Sequence, residues 1–419
     1  MSHNPINQMY VMTNCIQNYS WGSKRIISEI LGRSIPSQKE EAELWMGAHP
    51  LAPSQIIKEK SFLSLDKWIQ ENPRDVLGEN AFQRFKSLPF LFKLMAVEKP
   101  LSIQAHPCQS YAKIGFLREN MVGIPFSAPN RNYKDDNHKP EMLYALNDFW
   151  LLKGFRPISD TIKILDTLPF CEFHKMGNTL RQNPTEKGLK KFFFELVTLP
   201  ASKQRGIVEE LVVLLGREFL KKTLFQWIVF LNKAYPEDIG SLFPILLNLR
   251  KLRKGESIYI QPGELHSYLQ GVGLELMANS DNVLRGGLTP KHIDREELYK
   301  ILDFKEGKIK LVKPQMLSLQ EKKYKTEASE FELSEIHLEK DQTYFSQERR
   351  NVEILFCYHG KAEIVDIASS QKIFTRKGTS IVIPASVAQY SLKGEATLYK
   401  ATVPILCDKN FKTKEESKR

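Results

Sequence analysis

Cysteine is scarce in this chain of 419 residues, and the five that occur are far apart: Cys15, Cys108, Cys171, Cys357 and Cys407. An odd number at wide spacing, with no CxxC pair, gives neither a disulfide framework nor a zinc knuckle. Any metal must therefore be held by histidine and oxygen ligands, with at most one thiol. Long apolar runs are also missing. No stretch reaches the ~18 uninterrupted apolar residues of a membrane-spanning helix. The N-terminus has no basic region followed by an apolar one, so no secretory signal is expected and a cytoplasmic protein is. Acidic charge is in deficit, leaving a net charge of +11. The clustered basic and aromatic residues of a nucleic-acid surface do not accompany it. Neither a nucleic-acid nor a membrane partner is expected, and a spread positive field suits an enzyme for a dianionic phosphate.

What is present is ordinary globular composition, 42% hydrophobic and 26% charged, in a chain long enough for two or three domains. Leu88 to Met95 is mostly apolar and reads as a buried strand. Leu101-Ser102-Ile103-Gln104-Ala105-His106-Pro107 follows it. In an extended segment Ser102, Gln104 and His106 share one face and Ile103 and Ala105 the other. Buried polar groups on one face need partners. A metal ion would satisfy Gln104 and His106 together, and a core histidine bonded to a glutamine fits the same pattern.

A second polar cluster runs from Tyr133 to Met142. Pro140 biases Lys139 to extended geometry, which places Asn137, Lys139 and Glu141 on one face and His138 on the other. Between Ser159 and about Arg253 the apolar period becomes helical, as in Ile207, Val208, Leu211 and later Leu220, Leu224, Trp227, Ile228. Beyond Gly255 β character returns: Ile258 and Ile260 point inward, Pro262-Gly263 turns, and Glu264, His266 and Tyr268 share a face, with Leu274 to Ala278 as a further short strand. Helices are expected over 62–87 and, after a helix start at Thr289-Pro290-Lys291 with Thr289 as N-cap, from about Ile293 to Leu302; residues 108–132 read as loop. His49 and Glu43 read as structural polar groups. Lys254-Gly255-Glu256-Ser257-Ile258-Tyr259-Ile260 is echoed by Lys377-Gly378-Thr379-Ser380-Ile381-Val382-Ile383, an internal repeat whose second copy has no histidine.

Gln104, His106, Glu141 and His266 thus form a set of two nitrogen and two oxygen ligands on three β segments, suited to Zn²⁺ or another borderline divalent ion. These residues carry a family resemblance. Gln104-Ala105-His106-Pro107, the run Tyr133 to Glu141, Pro262 to Tyr268, and Met277 to Lys291 resemble the motifs of the type I phosphomannose isomerases, zinc enzymes of the cupin superfamily. Tyr19-Ser20-Trp21-Gly22 and Ala42 to Gly47 fit the same pattern. Where that family usually has Asp and Lys after the first proline, this chain has Cys108 and Gln109, and Gly286 stands where Ala is common. Cys108 reads as a small packing residue.

The resemblance implies a mainly β protein with an α-helical insertion: two cupin-type jelly-roll units plus a helical domain. The divisions expected are 1–156 and 254–312 for a catalytic cupin, 157–253 for the helical insertion, and 313–419 for a second cupin without a metal site. It implies one Zn²⁺ per chain, a sugar phosphate substrate, a monomer, and interconversion of mannose 6-phosphate and fructose 6-phosphate through an enediol. It further implies Ser102, Arg285 and Lys291 on the phosphate side, and Lys93, His138, Lys139, Glu275, Asp281 and Tyr268 around the pocket. Lys139 and Asp281 are both candidates for the base, with Arg285 or Lys139 assisting the metal as electrophile. A lysine base requires a lowered pKa. A metal-dependent bicupin for another sugar phosphate, or a sugar-phosphate-binding protein without activity, are the alternatives.

Overall fold

The computed structural model describes residues 7–58, 61–216 and 221–405. Leu220, Cys407 and the charged tail beyond Lys412 lie outside the described residues. The strands form two large sheets. One sheet contains the strands Leu247–Leu252, Phe149–Phe155, His266–Ala278, Phe90–Val97, Glu43–Gly47 and Cys15–Gln17, in that order. Phe90–Val97 is buried at every position, as its run of bulky residues requires of a strand covered on both faces. The other sheet carries the C-terminal strands and ends in Tyr10–Thr13, Gln55–Lys58 and Ser61–Ser64.

That edge corrects the division expected from sequence. Tyr10–Thr13 pairs with Ser380–Ile383, so part of the first 156 residues completes the C-terminal sheet. The helical stretch also ends earlier than 253. Helices run from Ile158 to Ala234, and a short 3₁₀ segment follows. Leu247–Leu252 is then an edge strand on Phe149–Phe155. Its middle residues, Asn248 to Lys251, are only half-buried or exposed, so they lack the apolar alternation that would mark a strand.

Three further expectations change. Phe62 and Leu63 are in a strand, not a helix, and the helix begins at Leu65. Gln109–Met121 is a helix, not a loop. The helix expected over about Ile293 to Leu302 runs from Arg295 to Ile301, but its cap is Asp294 and not Thr289: the Asp294 side chain accepts from the Glu297 amide at 2.9 Å. Thr289 Oγ1 accepts from the Lys291 amide and turns the chain. Gly271 does not divide His266–Ala278 into two strands. There the strand exchanges its neighbour Phe149–Phe155 for Phe90–Val97. At φ +143°, a Cβ would stand 2.6 Å from the Phe149 ring, so only glycine lets the strand cross that ring.

The internal repeat is visible in the pairing. Glu141 lies opposite Ile260 on one side and Met277 on the other. Glu353 lies opposite Ile383 and Thr402 in the same way. Gly255 and Gly378 take matching left-handed conformations, φ +89° and +87°. By this register Glu353 corresponds to Glu141 and Lys400 to Glu275, and Tyr390 opens its 13-residue strand as His266 opens its own. Apolar residues of both units, including Phe92, Met142, Leu274, Ile354 and Tyr399, form one shared core.

Candidate metal centre and active site

Three backbone segments meet at the ends of their strands. His106 follows Ile103–Ala105, Glu141 opens Glu141–Ala145, and His266 opens His266–Ala278. All three side chains are buried. His106 Nε2 is 3.1 Å from Glu141 Oε1, and His266 Nε2 is 3.3 Å from Glu141 Oε2. The other ring nitrogens are tied to backbone carbonyls: His106 Nδ1 to Asn282 at 2.7 Å and His266 Nδ1 to Glu264 at 2.9 Å. A carbonyl can only accept, so each Nδ1 carries the proton and each Nε2 presents a lone pair. Burial lowers the His106 ring to about 4, with Lys139 acting in the same direction, so the ring is neutral at pH 7.

The result is a buried knot of acceptors. His106 Nε2, His266 Nε2 and Glu141 Oε2 have no hydrogen-bond donor, and the potential ligand atoms of the three residues lie within 4.8 Å of one another. Buried acceptors facing each other are costly unless a cation lies between them. Two imidazoles and a carboxylate are also a common catalytic zinc set. The residues therefore fit a divalent metal, and the carbonyl anchors are the outer partners that hold such ligands in place. Gln104 pairs in register with both His266 and Arg285, and it lines the cavity beside Glu141.

That cavity has a volume of about 570 Å³. On one wall Lys93 Nζ sits 2.9 Å from Glu275 and 3.4 Å from Glu43. Burial opposes the Lys93 charge, but the two carboxylates outweigh it and raise its pKa. Burial raises Glu275 and holds Tyr268 protonated. The Tyr268 hydroxyl is buried without a hydrogen-bond partner. Lys139 Nζ is 3.2 Å from Glu141 Oε1. Arg285 and Lys291 line another side of the cavity and have no carboxylate partner among the described residues. Burial lowers both, and the neighbouring Arg285 charge lowers Lys291 further. Asp281 also lines the cavity. Burial opposes its charge, but His49 and the nearby lysines hold its pKa below the usual value.

The expected residues Ser102, Lys93, Lys139, Tyr268, Glu275, Asp281, Arg285 and Lys291 are all brought to this cavity. His138 is not. Its Nε2 is 2.9 Å from Glu330, in the C-terminal unit, because backbone alternation turns it away from Lys139 and Glu141. The catalytic placement of His138 is thereby corrected. Glu264 likewise leaves the face of His266 and Tyr268: it sits in the turn before the strand and pairs with Lys153 at 2.7 Å. Cys108 stands at the start of helix Gln109–Met121, with Sγ 3.2 Å from Ser110 Oγ. His49, Glu43 and Asn282 were not assigned to the site from sequence. Asn282 is wholly buried, donates to the carbonyls of Asp135 and Asn137, and offers its own carbonyl to His106. Its position among Met277 to Lys291 was the available signal.

A profile of the phosphomannose isomerase type I catalytic domain matches residues 9–158. Mannose-6-phosphate isomerase of Escherichia coli (strain K12) is 37% identical over 393 residues, 93% of this chain and 98% of that one. The Homo sapiens mannose-6-phosphate isomerase is 34% identical over 324 residues, 71% of this chain and 73% of that one. Among solved structures, a variant of phosphomannose isomerase from Salmonella typhimurium superposes with a TM-score of 0.88 at 35% identity, covering 95% of this chain and all of that one. Mannose 6-phosphate isomerase from Salmonella typhimurium bound to the substrate fructose 6-phosphate and zinc gives 0.86, with the same identity and coverage.

Proposed function

The chain belongs to the type I mannose-6-phosphate isomerase family, and from that we propose how its residues divide the work of a zinc-dependent interconversion of mannose 6-phosphate and fructose 6-phosphate. His106, Glu141 and His266 hold the zinc, with Gln104 as an oxygen ligand. The observation that carries this is the trio of buried, donorless acceptor atoms. When bound, the metal supplies a Lewis acid for charge that develops on the sugar oxygens at C1 and C2.

The phosphate is held by Arg285, Lys291 and Ser102. Two neighbouring cations without acidic partners are what a dianion requires, and the guanidinium offers paired donors to its oxygens. Lys93, Glu275 and Tyr268 orient sugar hydroxyls: the charge network fixes Lys93 and Glu275, and Tyr268 has a hydroxyl free to bond. Lys139, beside Glu141, carries the proton between C1 and C2. Asp281, ionised and facing the cavity, takes up hydroxyl protons. Such proton carriers contribute roughly 10²–10⁴ in rate. The repeated strand pairing around Glu141 and Glu353 supports reading both units as cupin-type jelly rolls, with the Ile158–Ala234 helices inserted in the first. Cytoplasmic location and a monomeric state complete the reading. No described helix is long and apolar enough to cross a membrane.

The test is isomerisation of mannose 6-phosphate before and after chelation, with zinc added back. Activity lost on chelation and restored by zinc is expected. Activity that survives verified metal removal would refute the ligand assignment. For the phosphate side, Arg285→Ala should lower kcat/KM by about 10²-fold, the worth of a charge-assisted bidentate contact. Inorganic phosphate should lose affinity as a competitive inhibitor in parallel. An unchanged phosphate inhibition constant would place the phosphate elsewhere.

A further inference from the structure

The inserted helices supply no group to the chemistry, yet the turn that ends them borders the active-site cavity. Tyr235 follows helix Thr223–Ala234 as its C-cap and lines the cavity. The chain then folds back on itself. The Asp238 amide donates to the Tyr235 carbonyl at 3.3 Å. The Asp238 side chain caps the 3₁₀ segment Ile239–Ile245, accepting from the Gly240 amide at 2.8 Å. This turn reaches two arms that are far apart in sequence. The Tyr235 hydroxyl donates to the Pro100 carbonyl at 2.7 Å, two residues before Ser102. The second Asp238 oxygen accepts from the Thr289 amide at 3.2 Å, two residues before Lys291.

Each arm needs a hold from outside itself. On the first, the Leu101 amide donates to the Tyr268 carbonyl at 2.8 Å and Ser267 Oγ to the Leu101 carbonyl at 2.7 Å. These bonds tie Leu101 to the strand of His266, and Tyr235 ties the peptide before it to the insertion. On the second, Leu288 takes a left-handed φ of +53°, which a leucine seldom adopts unless its surroundings impose it. The backbones of arm and turn meet directly there. A Cβ on Gly287 would stand 2.9 Å from the Gly240 Cα, and one on Gly240 3.0 Å from the Leu288 nitrogen. Leu288 also packs in one core with Leu242 and Phe243 of the turn's continuation. Thr289 Oγ1 accepts from the Lys291 amide at 3.1 Å, so the hold on Thr289 passes to Lys291. Resting on the assignment of the phosphate to Ser102, Arg285 and Lys291, we propose that Tyr235 and Asp238 are positioning residues for that phosphate. The turn that ends the insertion fixes the spacing of the two arms that grip it. Donors already in place bind an anion without the cost of ordering them. The reacting carbons C1 and C2 lie at the other end of the substrate from the phosphate, so loss of the hold acts on phosphate binding and not on zinc.

Tyr235→Phe removes only the hydroxyl. It should raise both the competitive inhibition constant of inorganic phosphate and KM for mannose 6-phosphate by roughly 3- to 10-fold, the scale of one hydrogen bond. Its kcat should stay within about twofold of wild type, the pattern of lost uniform binding, with zinc content unchanged. Asp238→Asn keeps an oxygen for Gly240 but turns its amide toward Thr289, and should act alike. A merely structural role would lower kcat through a smaller active fraction and leave the phosphate constant alone. Double variants identify the arm, because residues acting through one group are not additive. In a Ser102→Ala background Tyr235→Phe should add little and Asp238→Asn its full effect. In Lys291→Ala the two should exchange behaviour. Wild-type phosphate inhibition in Tyr235→Phe, or full additivity in both backgrounds, would overturn the positioning role, and Tyr235→Phe decides alone should Asp238→Asn not fold. Unaltered phosphate inhibition in both Ser102→Ala and Lys291→Ala would defeat the phosphate assignment itself, and the positioning role with it.

Discussion

Glu141→Gln protein is expected to fold, to bind zinc far more weakly, and to isomerise mannose 6-phosphate at least about 10³-fold more slowly, the scale on which loss of a preorganised electrostatic element acts. Glu141 bridges the site: one carboxylate oxygen faces His106 and the other His266, at 3.1 and 3.3 Å. Glutamine keeps the shape but removes the charge, and its amide nitrogen would donate to one of the imidazoles. That hydrogen bond occupies a lone pair the metal needs. In the metal-free protein the same substitution replaces a buried carboxylate facing two acceptors by a group able to bond one of them, but it also takes from Lys139, 3.2 Å away, its carboxylate partner. Thermal unfolding should therefore separate two effects. Wild-type protein saturated with zinc gains stability as RT ln(1 + [L]/Kd), about 4 kcal/mol at a thousandfold excess over Kd. Glu141→Gln should show little gain from zinc. Equal zinc stabilisation of both proteins would remove Glu141 from the ligand set.

How much of this could be read from the chain depends on how local each signal is. The strand Phe90–Val97 and the face shared by Gln104 and His106 follow from apolar runs and a period of two, which a sequence displays directly. The same period assigned His138 to the face opposite Lys139 and Glu141. The pairing of His138 with Glu330 follows that alternation, and the pocket role implied by family resemblance does not. Helix Gln109–Met121 gave no amphipathic pattern because Ile114, Leu117 and Met121 are exposed. Its close packing rests instead on Gly115, where a Cβ would lie 2.3 Å from the Tyr133 ring. Which distant strand a segment pairs with is not written in its own residues, so Tyr10–Thr13, flanked by Ser380–Ile383 and Gln55–Lys58, and the edge strand Leu247–Leu252 were assigned to the wrong units. His49 belongs to the same class: what distinguishes it is a contact with Asp281, far along the chain, and a lone histidine carries no sign of that.

The C-terminal unit offers a test of how a fold replaces a metal. Where the first unit has Glu141 with two histidines, the second has Glu353, to which Tyr390 donates a hydrogen bond at 2.7 Å. Arg350 lies 3.7 Å from the same carboxylate and Lys400 3.6 Å, and Lys400 is also 2.8 Å from Glu321. Burial works against the Lys400 ammonium, yet Glu353, Tyr344 and Glu321 raise its pKa. Fixed cations thus neutralise a carboxylate that in the other unit awaits a metal. Lys400→Met should leave Glu353 with Arg350 and Glu321 with no cation among the described residues, and removing one partner of a buried ion pair costs about 3–5 kcal/mol. Urea unfolding should show that loss as a lower midpoint, while kcat and zinc content at 25 °C stay as in the wild type, since none of these residues reaches the zinc cavity. Adding Glu321→Gln to Lys400→Met removes one stranded carboxylate and should restore a substantial part of the stability. A loss below about 1 kcal/mol would mean that Lys400 is compensated by water rather than by its carboxylates. Recovery on adding Glu321→Gln would show that the cost lies in the unpaired charge and not in lost packing, because methionine fills nearly the same space as the lysine stem.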